Sequence, residues 1–184
     1  MTRDRLNIRA FSAAVAALLF AAGGGLAVRT HAADRAEGMD GEILAQLVAL
    51  NENEVHVAQL AEKKDAEGPV ESFAKMIRED HGKNINDTEK LSGKLNIDLK
   101  KSTAVDSLHE EGERVLDRLD ALKKDEFERS FLDEMVSGHR AALDKLDEWI
   151  HEAQNPEVKA HLQATRQRVA FHLKEAERLQ GAVR

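Results

Sequence analysis

From Asp40 onward, apolar residues recur at alternating steps of four and three, the spacing of one buried helical face. Four long segments share this pattern. The first, residues 41–64, carries Ile43, Leu47, Leu50, Val57 and Ala61 behind Asp40, a predicted N-cap. The second, residues 69–95, carries Val70, Phe73, Ile77, Thr88, Leu91 and Leu95. The third, residues 125–153, opens on an Asp125-x-x-Glu128 capping-box pattern and carries Phe127, Phe131, Met135, Ala142, Leu146, Trp149 and Ile150. The fourth follows the Asn155-Pro156 start and carries Val158, Leu162, Thr165, Val169, Ala176 and Leu179 to about Gln180. The chain has 2 prolines, and both stand where a helix is predicted to begin.

The second and third segments are separated by residues 96–124. Within them, a Ser102-Thr103 cap introduces a shorter amphipathic helix with Val105, Leu108, Val115, Leu119 and Leu122 on one side. Neighbouring antiparallel helices join in a few residues, so a connection this long fits a crossover between two helical hairpins. The predicted fold is all-α: a ferritin-like four-helix bundle with a long helix 2–helix 3 crossover containing a short extra helix. An up-down-up-down bundle is the alternative. No strand-like alternation, Asn-Gly hairpin or glycine-rich phosphate loop follows residue 33.

Composition changes the picture at the N-terminus. Arg3, Arg5 and Arg9 precede an Ala/Leu-rich stretch over residues 10–28, and small residues close it at Ala32 and Ala33. That layout predicts a signal peptide over residues 1–33 and an exported, periplasmic protein. The alternative is an uncleaved membrane tether, since the stretch would span roughly 28 Å as a helix. Residues 34–39 read as a flexible lead-in and residues 40–184 as the bundle domain. The chain contains no cysteine, which excludes disulfides, thiolate ligands and lipid attachment through a cysteine. Removing the four Arg and one Asp of residues 1–32 from 27 basic and 34 acidic residues leaves 23 and 33, net −10. A domain so acidic repels phosphate, which argues against a nucleic-acid partner. After cleavage no segment is expected to insert stably in a membrane, and the pattern names no protein partner.

Each long stripe is interrupted near its middle. Glu54, His81, His139 and His172 stand where the repeat calls for an apolar side chain. Burying such groups is costly unless they are paired or bind something. Each lies close to the midpoint of its helix, so all four are expected within about one turn of a common layer. One carboxylate and three imidazoles suit a divalent transition metal: Zn, Cu, Fe, Ni or Co. Asn51, Asp80 and Asn84 are candidates to orient these ligands: Asn51 for Glu54, and Asp80 and Asn84 for the histidines. The alternative is a buried polar layer that sets helix register. Di-iron bundles place Glu-x-x-His on two helices. Here Arg78, Val136 and Val169 stand three residues before the histidines, which speaks against a dinuclear oxidase.

Four segments carry a family resemblance: Asn51-x-x-Glu54, the run from Ser72 through Asp80-His81, the run from Phe131 to His139, and His172-Leu173. On these the chain resembles the exported bacterial family named domain of unknown function 4142, over residues 40–180. The resemblance implies a ferritin-like bundle behind a signal peptide and no particular activity. Two departures stand out. Gly138 occupies a position where the family often has an acidic residue before the third-helix histidine. Val169-Ala170-Phe171 replaces a common Leu-Pro before the fourth. The expected function is binding, as a metal-handling or envelope-stress module holding one divalent ion. A structural adaptor is the alternative, and a mononuclear metalloenzyme is the less favoured reading.

Overall fold

A computed structural model describes residues 24–183 of the chain. The described residues form five helices: α1 (Gly24–Lys63), α2 (Gly68–Leu95), α3 (Thr103–Asp120), α4 (Lys124–Glu152) and α5 (Pro156–Val183). Among the described residues there is no strand. The predicted signal peptide lies outside the described residues as far as position 23. Helix α1 runs back to Gly24, so residues 34–39 are helical rather than a lead-in. Ala, Arg and Glu in that stretch are strong helix formers, and no proline interrupts them. No described helix is long and apolar enough to cross a membrane.

The ends of the helices explain the boundaries. Pro69 sits in the first turn of α2, where its missing N–H is no loss. That helix ends at Asn96, whose left-handed φ of 54° lets the Ile97 N–H return to the Ser92 carbonyl at 3.0 Å. Ser102 caps α3 by accepting from the Val105 N–H, as expected. Asn155 caps α5 by accepting from the Glu157 N–H at 2.8 Å.

Two caps act elsewhere than their spacing predicts. Asp40 lies inside α1, and its two carboxylate oxygens accept from the backbone N–H groups of Gln154 and Asn155, each at 2.8 Å. Helix α4 is preceded by Lys123 at the cap position, and Glu128 accepts from the Glu67 N–H at 3.1 Å. In both cases the carboxylate serves a turn of another hairpin, because the tertiary fold brings that turn closer than the local one.

These contacts define the topology. Asp40 places the start of the bundle segment of α1 beside the α4–α5 turn. An ion pair between Lys94 and Glu157 joins the end of α2 to the start of α5. At the opposite end, the α1–α2 turn meets the first turn of α4 through Glu67 and Glu128. Helices α1 and α2 form one hairpin and α4 and α5 the other, with α1 against α4 and α2 against α5. Helix α3 therefore travels the length of the bundle, lying on α1. Asn53 of α1 donates to the Leu108 carbonyl at 2.8 Å, and Lys64 pairs with Asp120 at 3.0 Å. Gly112 permits this approach: a Cβ there would lie 2.2 Å from the Asn53 side chain.

Between the four long helices the core falls into two halves, and a small third cluster of Ala45, Ala49 and Val105 joins α3 to α1. One half gathers Val57, Phe73, Ile77, Phe127, Phe131 and Met135. The other gathers Ile43, Leu47, Leu146, Trp149, Leu162 and Val169. In every long helix the two halves meet at the interrupting residue. Met76 and Met135 belong to the first half, as core rather than as ligands.

Asp40 holds two orphan donors of the α4–α5 turn. Asp40→Ala should lower stability by about 1–2 kcal/mol in urea unfolding, whereas Asp40→Asn, which keeps one acceptor, should lose less. An unchanged midpoint in the alanine variant would remove this clamp from the account. Gly112→Leu should cost about 1–3 kcal/mol by overpacking and loosen α3 first, measured as faster amide exchange over residues 103–120.

Candidate metal centre

Helices α2, α4 and α5 bring His81, His139 and His172 into one cluster. The three are 6%, 1% and 0% exposed, and their ring centroids lie 5.1 to 5.6 Å apart. One ligating nitrogen from each lies within 4.8 Å of the others. Around a tetrahedral ion with ligands at about 2.1 Å, neighbouring nitrogens stand about 3.4 Å apart. A pair at the 4.8 Å limit therefore has to close by about 1.4 Å to share an ion. Glu54 of α1 stands beside it, with Oε1 3.8 Å from His139 Nδ1.

The surrounding hydrogen bonds set the tautomers. Asn51 donates from Nδ2 to the Leu47 carbonyl at 2.7 Å and to Asn84 Oδ1 at 2.9 Å. Its own oxygen is thereby turned to His81, which donates from Nδ1 at 2.6 Å. The lone pair of His81 is then on Nε2, facing the cluster. Asn84 is fixed in turn by donating to Thr165 Oγ1 at 2.8 Å, and Thr165 donates to the His161 carbonyl at 3.0 Å. On the far side, His172 donates from Nε2 to Asp80 Oδ2 at 2.9 Å, leaving its lone pair on Nδ1. Arg168 approaches the same carboxylate oxygen at 3.6 Å.

All three candidate orienting residues hydrogen-bond at this layer, Asn51 and Asn84 on partners other than those expected. Asp80 serves His172 rather than adjacent His81. One residue along a helix is a rotation of about 100°, which aims Asp80 at α5. Asn51 holds His81 rather than Glu54. Asn84 acts through Asn51. Sequence reasoning missed Thr165, whose place on the α5 stripe was the available signal. His161 on α5 is half-buried and bonded to Thr88 Oγ1 at 2.8 Å.

Among the described residues, five buried polar atoms have no hydrogen-bond partner: Glu54 Oε2, His81 Nε2, both nitrogens of His139, and His172 Nδ1. All belong to the four interrupting residues. Burial drives the His81 pKa well below the ordinary imidazole value, helped by His139 and His172. His172 is lowered to about 4, chiefly by burial, with Asp80 opposing. Burial raises the Glu54 pKa, while His139 pulls it down and Glu134 adds to the rise. Neutral imidazoles with lone pairs directed inward are in the protonation state that metal coordination requires. An enclosed gap of about 20 Å³ adjoins Glu54, His81 and His139, enough for a single water-sized body.

Two clefts reach the layer from outside. One, of about 200 Å³, lies between α2 and α5 and ends on His81 and His172. The other, of about 240 Å³, lies between α1, α3 and α4 and ends on Glu54. Gly138 borders the second: a Cβ there would lie 3.6 Å from Glu54 Oε1. Through Val169-Ala170-Phe171, α5 continues unbroken, with Val169 buried and Phe171 exposed beneath Arg168.

Fold and site together define an all-α bundle whose core encloses a histidine triad. The chain belongs to the family described as domain of unknown function (DUF4142), whose model matches residues 26–179. No curated protein and no solved structure matches it.

Protonation opposes this site in the metal-free protein. The His172 pKa is lowered on folding, so below pH 6.5 the unfolded chain takes up a proton that the folded chain refuses. Stability is therefore full above pH 6.5 and falls toward pH 4, by on the order of 3 kcal/mol from this group. Urea unfolding of chelator-treated protein should show this slope, and His172→Gln should flatten it. Equal slopes in both proteins would refute the assignment.

Proposed function

We propose that this chain is an exported, ferritin-like binding protein that holds one divalent transition-metal ion between Glu54, His81, His139 and His172. The observation that carries the reading is the set of unpartnered buried atoms. Each of the four residues contributes at least one: the three imidazoles form one cluster and the Glu54 carboxylate stands beside it. Zn, Cu, Fe, Ni and Co all accept this donor set. Asn51 and Asp80 support it, because each takes the N–H of one histidine and leaves the other nitrogen free to coordinate. Glu54 supplies a negative charge whose cost of burial a dication offsets. When bound, the ion would act as a Lewis acid or be carried as cargo. Metal handling or envelope stress is the corresponding role, with export read from the N-terminal segment.

A polar network that only sets register fits less well. Such a network satisfies its members with one another. Here Glu54 and His139 stand 3.8 Å apart, beyond hydrogen-bond reach, and burial disfavours the charged form of His81 and His172. The clefts to the layer supply what a mononuclear metalloenzyme would need in access, so that reading stays behind simple binding rather than outside it.

Metal content after dialysis against each candidate ion tests the proposal. Wild type should retain one ion, and His81→Ala/His139→Ala should retain none, with both folded by circular dichroism. Equal content in the two proteins would end the metal reading. Asp80→Asn and Asn51→Leu leave every ligand in place. Each should weaken metal affinity by roughly 10–100-fold, measured by competition with a chromophoric chelator.

A further inference from the structure

We propose that the cleft between α1, α3 and α4 is a second binding site, for a small hydrophobic primary amine whose ammonium group pairs with Glu54. Its walls are apolar side chains from three helices, among them Leu50, Val57, Leu108, Val115 and Met135. Its volume is about 240 Å³, and an apolar cavity of roughly 150 Å³ already takes up benzene. A six-membered ring with one short polar arm is therefore of the right size.

The wall contributed by α3 is held in place. Asn53 bonds the Leu108 carbonyl, and Gly112 lets α3 sit directly against Asn53. The space is thus framed by a docked helix rather than by a loose surface segment. At its inner end, Gly138 carries no side chain to cover the Glu54 carboxylate. Glu54 Oε2 is shut off from solvent without a partner, and the 18% of this side chain that stays accessible opens on the cleft.

Charge selects the ligand. Four ionisable side chains line the cleft: Glu54, Glu111, Glu134 and Lys145. Glu134 is engaged by Arg118 and Lys145 by Glu148. Glu111 has no ion pair among the described residues, and Glu54 has only its long approach to His139. Both uncommitted groups are carboxylates. An ammonium group offers three donors to them, an alcohol makes a weaker uncharged bond, and a carboxylate ligand is repelled. The histidine nitrogens are not used, so the site operates in metal-free protein and its test is separate from that of the metal centre.

Chelator-treated full chain should be titrated calorimetrically with cyclohexylmethylamine, cyclohexylmethanol and cyclohexanecarboxylate. The amine should bind about tenfold or more tightly than the alcohol, with the carboxylate weakest. Glu54→Gln should bring the amine to the level of the alcohol. Gly138→Leu and Ala141→Leu each fill the cleft from α4 and should weaken both ligands. Ala141 is exposed, so its variant keeps the test valid if Gly138→Leu disturbs the helix. The proposal is overturned by equal affinities for amine and alcohol, by binding of none of the three, or by undiminished binding in a folded cleft-filled variant.

Discussion

The costliest feature of this bundle is three imidazoles and a carboxyl group buried at mid-height with polar atoms that no protein group satisfies. Each unsatisfied buried polar atom costs about 1–3 kcal/mol. Five of them approach the whole net stability of an ordinary domain, about 5–15 kcal/mol. The rest of the architecture serves to hold that layer against this cost. Two apolar half-cores grip it from above and below, so that no helix can slide without moving apolar residues into the polar level.

The hydrogen-bonded supports do a different job from the half-cores. Asn51, Asn84 and Thr165 form a chain from α1 through α2 to α5, ending on a backbone carbonyl. Reversing the amide of Asn51 would break its bonds to Leu47 and Asn84 together, so the tautomer of His81 is fixed by a chain of single choices. Asp80 does the same for His172 from the other side. His139 has no such support: neither of its nitrogens has a hydrogen-bond partner, which leaves it the one imidazole of the three with freedom to choose which nitrogen it offers. Helix α3 adds an asymmetry. By covering α1 it shelters the Glu54 side of the layer behind an apolar cleft, while the histidine side opens between charged residues of α2 and α5.

Much of this was legible before any coordinates. Heptad steps placed the long helices within a few residues of their ends, except the start of α1, which lies well before Asp40 at Gly24, and the length of the 96–124 connection pointed to a crossover. The four interrupting residues were visible as breaks in otherwise regular stripes. Their depth followed from counting residues to the turns, because helical rise is nearly constant. The misassigned details share one cause. Asp40, Glu128 and Asn51 were each given to a partner near in sequence, and each found one in another element. Short polar side chains at helix surfaces bond whatever the packing presents, and spacing along one helix carries no information about that.

The amino-acid sequence by itself determined the helical class, the division of the core and the identity of the buried donors, since these depend on periodicity within single helices. The tertiary structure decided which nitrogen of His81 and His172 is left free. It also decided which cleft reaches which ligand, and that Asp40 closes the α4–α5 turn from 114 residues away. Those outcomes depend on distances between helices, which side-chain packing and the path of α3 set together.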